Sequence, residues 1–231
     1  MPAGRTVWLF DLDNTLHDAS SSAFRLLDRS MSDYIQQTLA MTADEADRLR
    51  RHYWQRYGAT LLGLVRHHGV KAPHFLDHTH RMPGLEGMLK GHPHDFAALR
   101  TLPGRKYILT NAPRAYTERV LRTLGIGHLF DGVITIEGMR MFGHWRPKPD
   151  TRMFRRLAAQ LGVRPAQCVL VEDTLAHQKA ARGLGFRTVW MQRWMKTNAH
   201  RPEVGVYLLR RPTYVCARIT SLQQLRKRVR R

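Results

Sequence analysis

Short apolar runs punctuate a largely polar chain at Thr6–Phe10, Lys106–Thr110, Val133–Ile136, Cys168–Val171 and Arg187–Met191. Their apolar residues follow one another instead of alternating with polar ones, the pattern of strands buried on both faces. Several of the segments between them, such as Tyr116–Leu124 and Thr151–Leu161, carry apolar residues at helical spacing. The alternation predicts an α/β fold built on a doubly wound parallel sheet. A sixth run, Tyr214-Val215-Cys216, with a short helix over Ser221–Leu225, is expected to close it.

The first two strands are far apart in sequence. From Ser20 to Arg81 no strand pattern occurs, but helical stretches do, at Ala23–Leu39 and at Ala43–Tyr57, where Thr42 is placed to cap the helix. Gly58, Gly63 and Gly69 are expected to divide the residues after Tyr57. The reading is a core formed by residues 1–18 and 82–225, an inserted α-helical domain at 19–81, and a basic tail at 226–231. His67, His68, His74, His78 and His80 enrich the insertion in histidine, but not at zinc-site spacing, so a histidine-rich surface is expected.

Composition narrows the class. At 231 residues and 43% hydrophobic, the chain can bury a sizeable core, which excludes disorder throughout. Cys168 and Cys216 each sit in an apolar run, so buried thiols and a reducing cytoplasm are expected. No apolar run approaches membrane-spanning length. Lys and Arg number 38 against 18 Asp and Glu, a net charge of +20 that would draw anionic substrates and bind nucleic acid non-specifically. Part of that charge is local, because five of the six residues from Arg226 to Arg231 are cationic.

Candidate chemistry lies where the strands end, since open parallel sheets bind ligands outside their carboxyl edge. The first strand runs into Asp11-Leu12-Asp13-Asn14-Thr15, the second ends at Thr110-Asn111, Lys148 stands between prolines after the third, and the fourth runs into Glu172-Asp173. Asp11 and Asp13 are spaced so that one carboxylate can attack phosphorus while the other protonates the leaving oxygen and later activates water. So many acids around a phosphate require a cation, and oxygen ligands from Asp11 and Asp173 suit Mg²⁺. Thr110 and Lys148 would neutralise the remaining phosphate oxygens. Singly, each element also reads as a turn or a helix cap; together, at one sheet edge, they favour a phosphoryl-transfer site.

From Thr6 to about Leu225 these motifs resemble the haloacid dehalogenase-like hydrolases, which have a Rossmann-like core. The resemblance implies Asp11 as nucleophile, Asp13 as acid/base, Thr110 with Asn111 and Lys148 as phosphate-binding residues, and Mg²⁺ on Asp11, the main-chain oxygen of Asp13 and Asp173, with Glu172 reaching it through water. An acid at position 13 favours phosphatase over dehalogenase. The inserted helices are similar to the small-capped subgroup, and the stretches Phe10–Asp18, His52–Leu61, Leu102–Lys106 and Thr110–Pro113 look most like bacterial pyrimidine 5′-nucleotidases. UMP- or CMP-like nucleoside monophosphates are the substrates this implies. The alternatives are another small phosphomonoester (phosphoglycolate, a sugar phosphate, flavin mononucleotide) or a basic nucleic-acid-binding protein on a hydrolase fold. The chain departs from the family pattern at His177, where the fourth motif is commonly followed by Asn, with phosphate positioning as the expected casualty. In the cap, Tyr53, Arg56, Tyr57 and Thr60 could meet a base, although their helical spacing suits packing equally well.

Overall fold

The structure, a computed structural model, describes residues 6–21, 23–194 and 210–225. The basic tail expected at 226–231 lies outside the described residues. Six parallel strands form the sheet: β1 Val7–Phe10, β2 Arg105–Leu109, β3 Gly132–Ile134, β6 Cys168–Glu172, β7 Arg187–Met191 and β8 Ala217–Ile219, in the order β3-β2-β1-β6-β7-β8. β1 is central. Phe10 stands in register with Ile108 of β2 and Val171 of β6, so the carboxyl ends of three adjacent strands reach the same level.

Burial on both faces follows from the unbroken apolar runs. Trp8 and Phe10 point into one core with Ile108 and Val171, covered by α6 (Pro93–Arg100) and α7 (Arg114–Leu124). Val7 and Leu9 point into the opposite core, covered by α8 (Thr151–Gln160) and α9 (Leu175–Gly183). Each fully buried aliphatic or aromatic side chain of this kind contributes about 1.5–3 kcal/mol.

Two strands differ from expectation. β3 stops at Ile134 because Ile136 opens a short 3₁₀ turn, Ile136–Met139, and buries its side chain elsewhere. The last strand begins directly after Tyr214-Val215-Cys216, at Ala217. The apolar run itself plugs the sheet edge: Val215 packs on Trp190, and the Thr188 hydroxyl donates to the Tyr214 carbonyl at 2.6 Å. Cys168 is buried and Cys216 only half-buried, and both are free thiols.

Between β1 and β2 the chain forms α1 (Ala23–Leu39), α2 (Ala43–Tyr57), α3 (Thr60–His68) and α4 (Ala72–Thr79), with a core of their own that includes Ile35, Leu64 and Phe75. A single turn, α5 (Leu85–Met88), then leads back and buries Leu85 in the same core as Phe10. Thr42 and Glu45 close a reciprocal capping box at the start of α2, and Gly58 ends it in the left-handed conformation, φ 78°. Gly69 ends α3 in the same way, but Gly63 interrupts nothing. It lies inside α3 because the Tyr53 ring packs against it, and a β-carbon there would overlap the ring. Ile136 and the half-buried Trp145 join this third core from a small hairpin region, β4 (Arg140–Met141) with β5 (His144–Trp145), whose two-residue strands are too short to leave a sequence pattern. Among the described residues no helix is long and apolar enough to cross a membrane.

Candidate active site

Asp11 follows β1, and its amide donates to the Val171 carbonyl at 3.0 Å, which carries the edge of the sheet one residue past the strand. Its carboxylate is held at both oxygens: Lys148 Nζ donates to Oδ1 at 2.7 Å and the Thr15 hydroxyl to Oδ2 at 3.1 Å. Lys148 is 1% exposed and also donates to Glu172 Oε2 at 2.7 Å, so one buried ammonium bridges the acids that end β1 and β6. A lysine so placed keeps its proton. Its removal from water alone would release it, but the Asp11 and Glu172 carboxylates raise its pKa instead.

The other acids differ. Burial and the charge of Glu172 push Asp11 up to about 7, although Lys148 opposes them. Asp173 is raised well above the usual carboxylate range by burial, then by Glu172 and Asp11. Burial acts against ionised Glu172 too, but Lys148 and His177 outweigh it and hold its pKa low. Asp11, Glu172 and Asp173 offer oxygens within 4.8 Å of one another. Lys148 cannot balance three carboxylates, and the donor set is all oxygen, so the cluster fits a hard divalent cation such as Mg²⁺. Glu172 is heavily occupied: besides Lys148 it accepts from the Thr174 amide at 3.1 Å, and His177 also approaches it. That suits a more distant role for it.

Asp13 has different partners. Its Oδ1 accepts from the Tyr116 hydroxyl at 2.7 Å and lies 2.9 Å from His17 Nε2. Its side chain is 19% exposed, against 9% for Asp11. Burial alone would raise the Asp13 pKa, but His17 and Tyr116 together hold it below the usual range.

The second expected group is rearranged. Thr110 is buried and its hydroxyl oxygen accepts from the Ala112 amide at 3.0 Å. Asn111, expected on the phosphate, commits both ends of its amide to the Lys148 backbone: Nδ2 donates to the Lys148 carbonyl and Oδ1 accepts from the Lys148 amide, each at 2.9 Å. Asn111 thus fixes the loop that delivers Lys148. His177 Nδ1 lies 3.1 Å from Glu172 Oε2, so this departure from the family pattern acts on Glu172, the partner of Lys148.

The cap residues are bonded within the insertion. Tyr53 is buried and its hydroxyl lies 2.8 Å from His68 Nε2. Tyr57 pairs with His67 Nε2 at 2.6 Å and accepts from Arg56 Nε at 3.1 Å. The Thr60 hydroxyl donates to the Arg50 carbonyl at 3.1 Å. His67 and His68 thus partner tyrosines, as His74 does Tyr34 at 2.9 Å; among the described residues the acids at 11, 172 and 173 form the only cluster of potential metal ligands.

Sequence reasoning passed over His17, Tyr116 and Thr15. His17 and Thr15 had a signal, since Thr15 lies within the first motif and His17 directly after it, four residues beyond Asp13. Tyr116 had none: it is 103 residues from Asp13 and reads as an ordinary core position of α7.

A family model for haloacid dehalogenase-like hydrolases matches residues 6–185. The chain is 28% identical to phosphate metabolism protein 8 of Saccharomyces cerevisiae over 78% of its own length and 60% of the yeast protein, so it spans less than two thirds of that relative. It is 26% identical to a glyceraldehyde 3-phosphate phosphatase of Pyrococcus furiosus over 80% of each chain, and 38% identical to a fructose-1-phosphate phosphatase of Escherichia coli over 35% of this chain and 40% of that one. In fold it is similar to a phosphatase from Thermococcus onnurineus, with a TM-score of 0.63, 22% identity and 97% of both chains covered. With the family model covering more than half of the sequence, the chain belongs to the haloacid dehalogenase-like hydrolases.

Proposed function

We propose that this protein is a Mg²⁺-dependent phosphatase that hydrolyses a small phosphomonoester through an aspartyl-phosphate on Asp11. The observation that carries the reading is the Asp11 carboxylate itself, fixed by Lys148 and Thr15 at the carboxyl edge of the sheet and flanked by Asp13 and Asp173. Asp11, Asp173 and the Asp13 main-chain oxygen would hold Mg²⁺, with Glu172 acting through water. Bound there, the ion would offset the carboxylate charge and polarise the phosphoryl group.

Asp11 attacks phosphorus and the ester oxygen departs with a proton from Asp13. Asp13, now a carboxylate, takes a proton from water; the water oxygen attacks the aspartyl-phosphate, releasing inorganic phosphate and restoring Asp11. Asp13 rests as a carboxylate, and the negative charge of an arriving phosphate raises its pKa toward the protonated form the first step needs. Lys148 balances charge on the transferring group, and Thr110, whose oxygen already accepts from Ala112, still has its hydroxyl proton to give. The insertion at 19–81 serves as a cap over this site.

Motif resemblance favours a pyrimidine nucleoside monophosphate as substrate. A sugar or triose phosphate is the second reading, supported by the names of two relatives and by the packing of Tyr53 and Thr60 inside the insertion. A phosphate-release screen with Mg²⁺ over UMP, CMP, phosphoglycolate, flavin mononucleotide, fructose 1-phosphate and glyceraldehyde 3-phosphate separates them. UMP or CMP is expected to lead; equal or lower turnover than the sugar phosphates rejects the nucleotidase reading. Asp11→Asn is expected to abolish release, and full activity in that variant rejects the mechanism.

A further inference from the structure

Asp13 is bonded in an asymmetric way. Both of its side-chain contacts, from Tyr116 at 2.7 Å and His17 at 2.9 Å, converge on Oδ1. A carboxylate pinned through one oxygen cannot turn freely, and its second oxygen is aimed by the first. The donors come from separate parts of the chain, His17 from the loop after β1 and Tyr116 from the first turns of α7, and neither is exposed: His17 is 0% and Tyr116 3% accessible.

His17 is a poor choice for stability alone. Because the Asp13 carboxylate can only accept, the ring donates through Nε2, which leaves Nδ1 buried with no hydrogen-bond partner among the described residues. An unsatisfied buried polar atom costs about 1–3 kcal/mol, which an apolar residue in the same space would avoid. The Tyr116 ring is braced in turn. The His80 ring packs edge-on against it, with centroids 5.7 Å apart, at the point where the insertion returns to the core. One turn along α7, Arg119 donates to the carbonyls of His80, Arg81 and Met82 and pairs with Glu86, so the same helix face grips that crossing.

We propose that His17 and Tyr116 are positioning residues that hold Asp13 through Oδ1 so that Oδ2 is presented to the leaving oxygen and then to the hydrolytic water. The inference rests on the acid/base reading of Asp13. It assigns two buried residues, neither of them a motif residue, to the breakdown of the aspartyl-phosphate.

The test uses the full chain with Mg²⁺ and p-nitrophenyl phosphate, whose leaving group departs without a proton, so only the hydrolytic half-reaction depends on Asp13. In Tyr116→Phe, the first-turnover burst of p-nitrophenolate is expected to persist while the steady-state rate falls about tenfold, a fraction of the roughly 10²–10⁴-fold that an acid/base group contributes. Acid-quenched Tyr116→Phe should then carry more trapped phosphate in the steady state than the native chain. His17→Gln, which keeps a donor, is expected to retain more of the steady-state rate than His17→Leu. Burst amplitude counts folded sites, so misfolding is distinguished from mispositioning. Burst and steady state falling together, or both unchanged, overturn the inference alone. Absence of Mg²⁺-dependent release from the unsubstituted chain overturns the phosphatase reading and the inference with it.

Discussion

Single side chains at the core's carboxyl edge are tuned by what surrounds them more than by their type. Asp11 and Asp13 are two residues apart in one loop, yet burial and Glu172 push one up to about 7 while His17 and Tyr116 draw the other down. His80 shows the same dependence. Burial is the largest influence and brings it to about 4, against the opposing pull of the Leu76 carbonyl and Asp13. Its folded pKa lies below the unfolded value of about 6.5, so the unfolded chain binds the extra proton between these limits. The stability contributed by keeping His80 neutral is therefore present above about pH 6.5 and is lost as pH falls toward about 4. From pH 7 to pH 5 this single group should cost about 2 kcal/mol. Urea unfolding at the two values, for the native chain and for His80→Gln, checks this: the variant should lose less stability by about that amount. Equal losses would show that His80 is not held neutral by the fold.

Among the elements, the inserted helices were the easiest to read at their ends and the hardest to read in between. α1 and α2 occupy the expected ranges because their signals are local: apolar spacing, the Thr42 capping box, and a glycine able to adopt positive φ at position 58. Gly63 misled because its role is tertiary. Within an exposed helix, Gly→Ala stabilises by about 1 kcal/mol. Here the β-carbon would overlap the Tyr53 ring, so Gly63→Ala should destabilise by about 1–3 kcal/mol. Thermal or urea denaturation of Gly63→Ala beside Tyr53→Phe measures it. The first substitution forces the ring aside, whereas the second removes only the bond to His68 and should cost about 1 kcal/mol. Stabilisation by Gly63→Ala would disprove the close packing.

Over the whole molecule, charge and chain closure matter most. Four of the chain's 18 acids, Asp11, Asp13, Glu172 and Asp173, gather at one sheet edge of a protein carrying a net +20. A field of that sign concentrates phosphate esters around a site whose own acids would repel them. The far end of the sheet is held by a different acid. Asp95 on α6 is buried and accepts from Arg193 at 2.7 Å, the Ser221 hydroxyl at 2.6 Å and the Leu222 amide at 2.9 Å. These contacts fasten Arg193 and the turn at Ser221–Leu222 to α6. Asp95→Ala removes the acceptor from all of them and should destabilise the protein by about 3–5 kcal/mol. Urea unfolding and limited proteolysis report it: cleavage near β8 should accelerate while Mg²⁺-dependent turnover of the surviving folded fraction persists. Unchanged stability would remove Asp95 from this role.

The sequence by itself determined the sheet, its parallel sense, the helical insertion and the acids at the strand ends, because unbroken apolar runs, helical spacing and motif residues are properties of short stretches. It also specified Asp11, Asp13, Lys148, Glu172 and Asp173 as a set, since the acids adjoin predicted strands and Lys148 matches a motif in the loop after the third. Tertiary structure decided how that set is wired. Asn111 holds the Lys148 backbone, His177 approaches Glu172, and Tyr116 reaches Asp13 from 103 residues away. None of these pairings has a local signature, because each depends on which side chains the register of β1, β2 and β6 brings to one level.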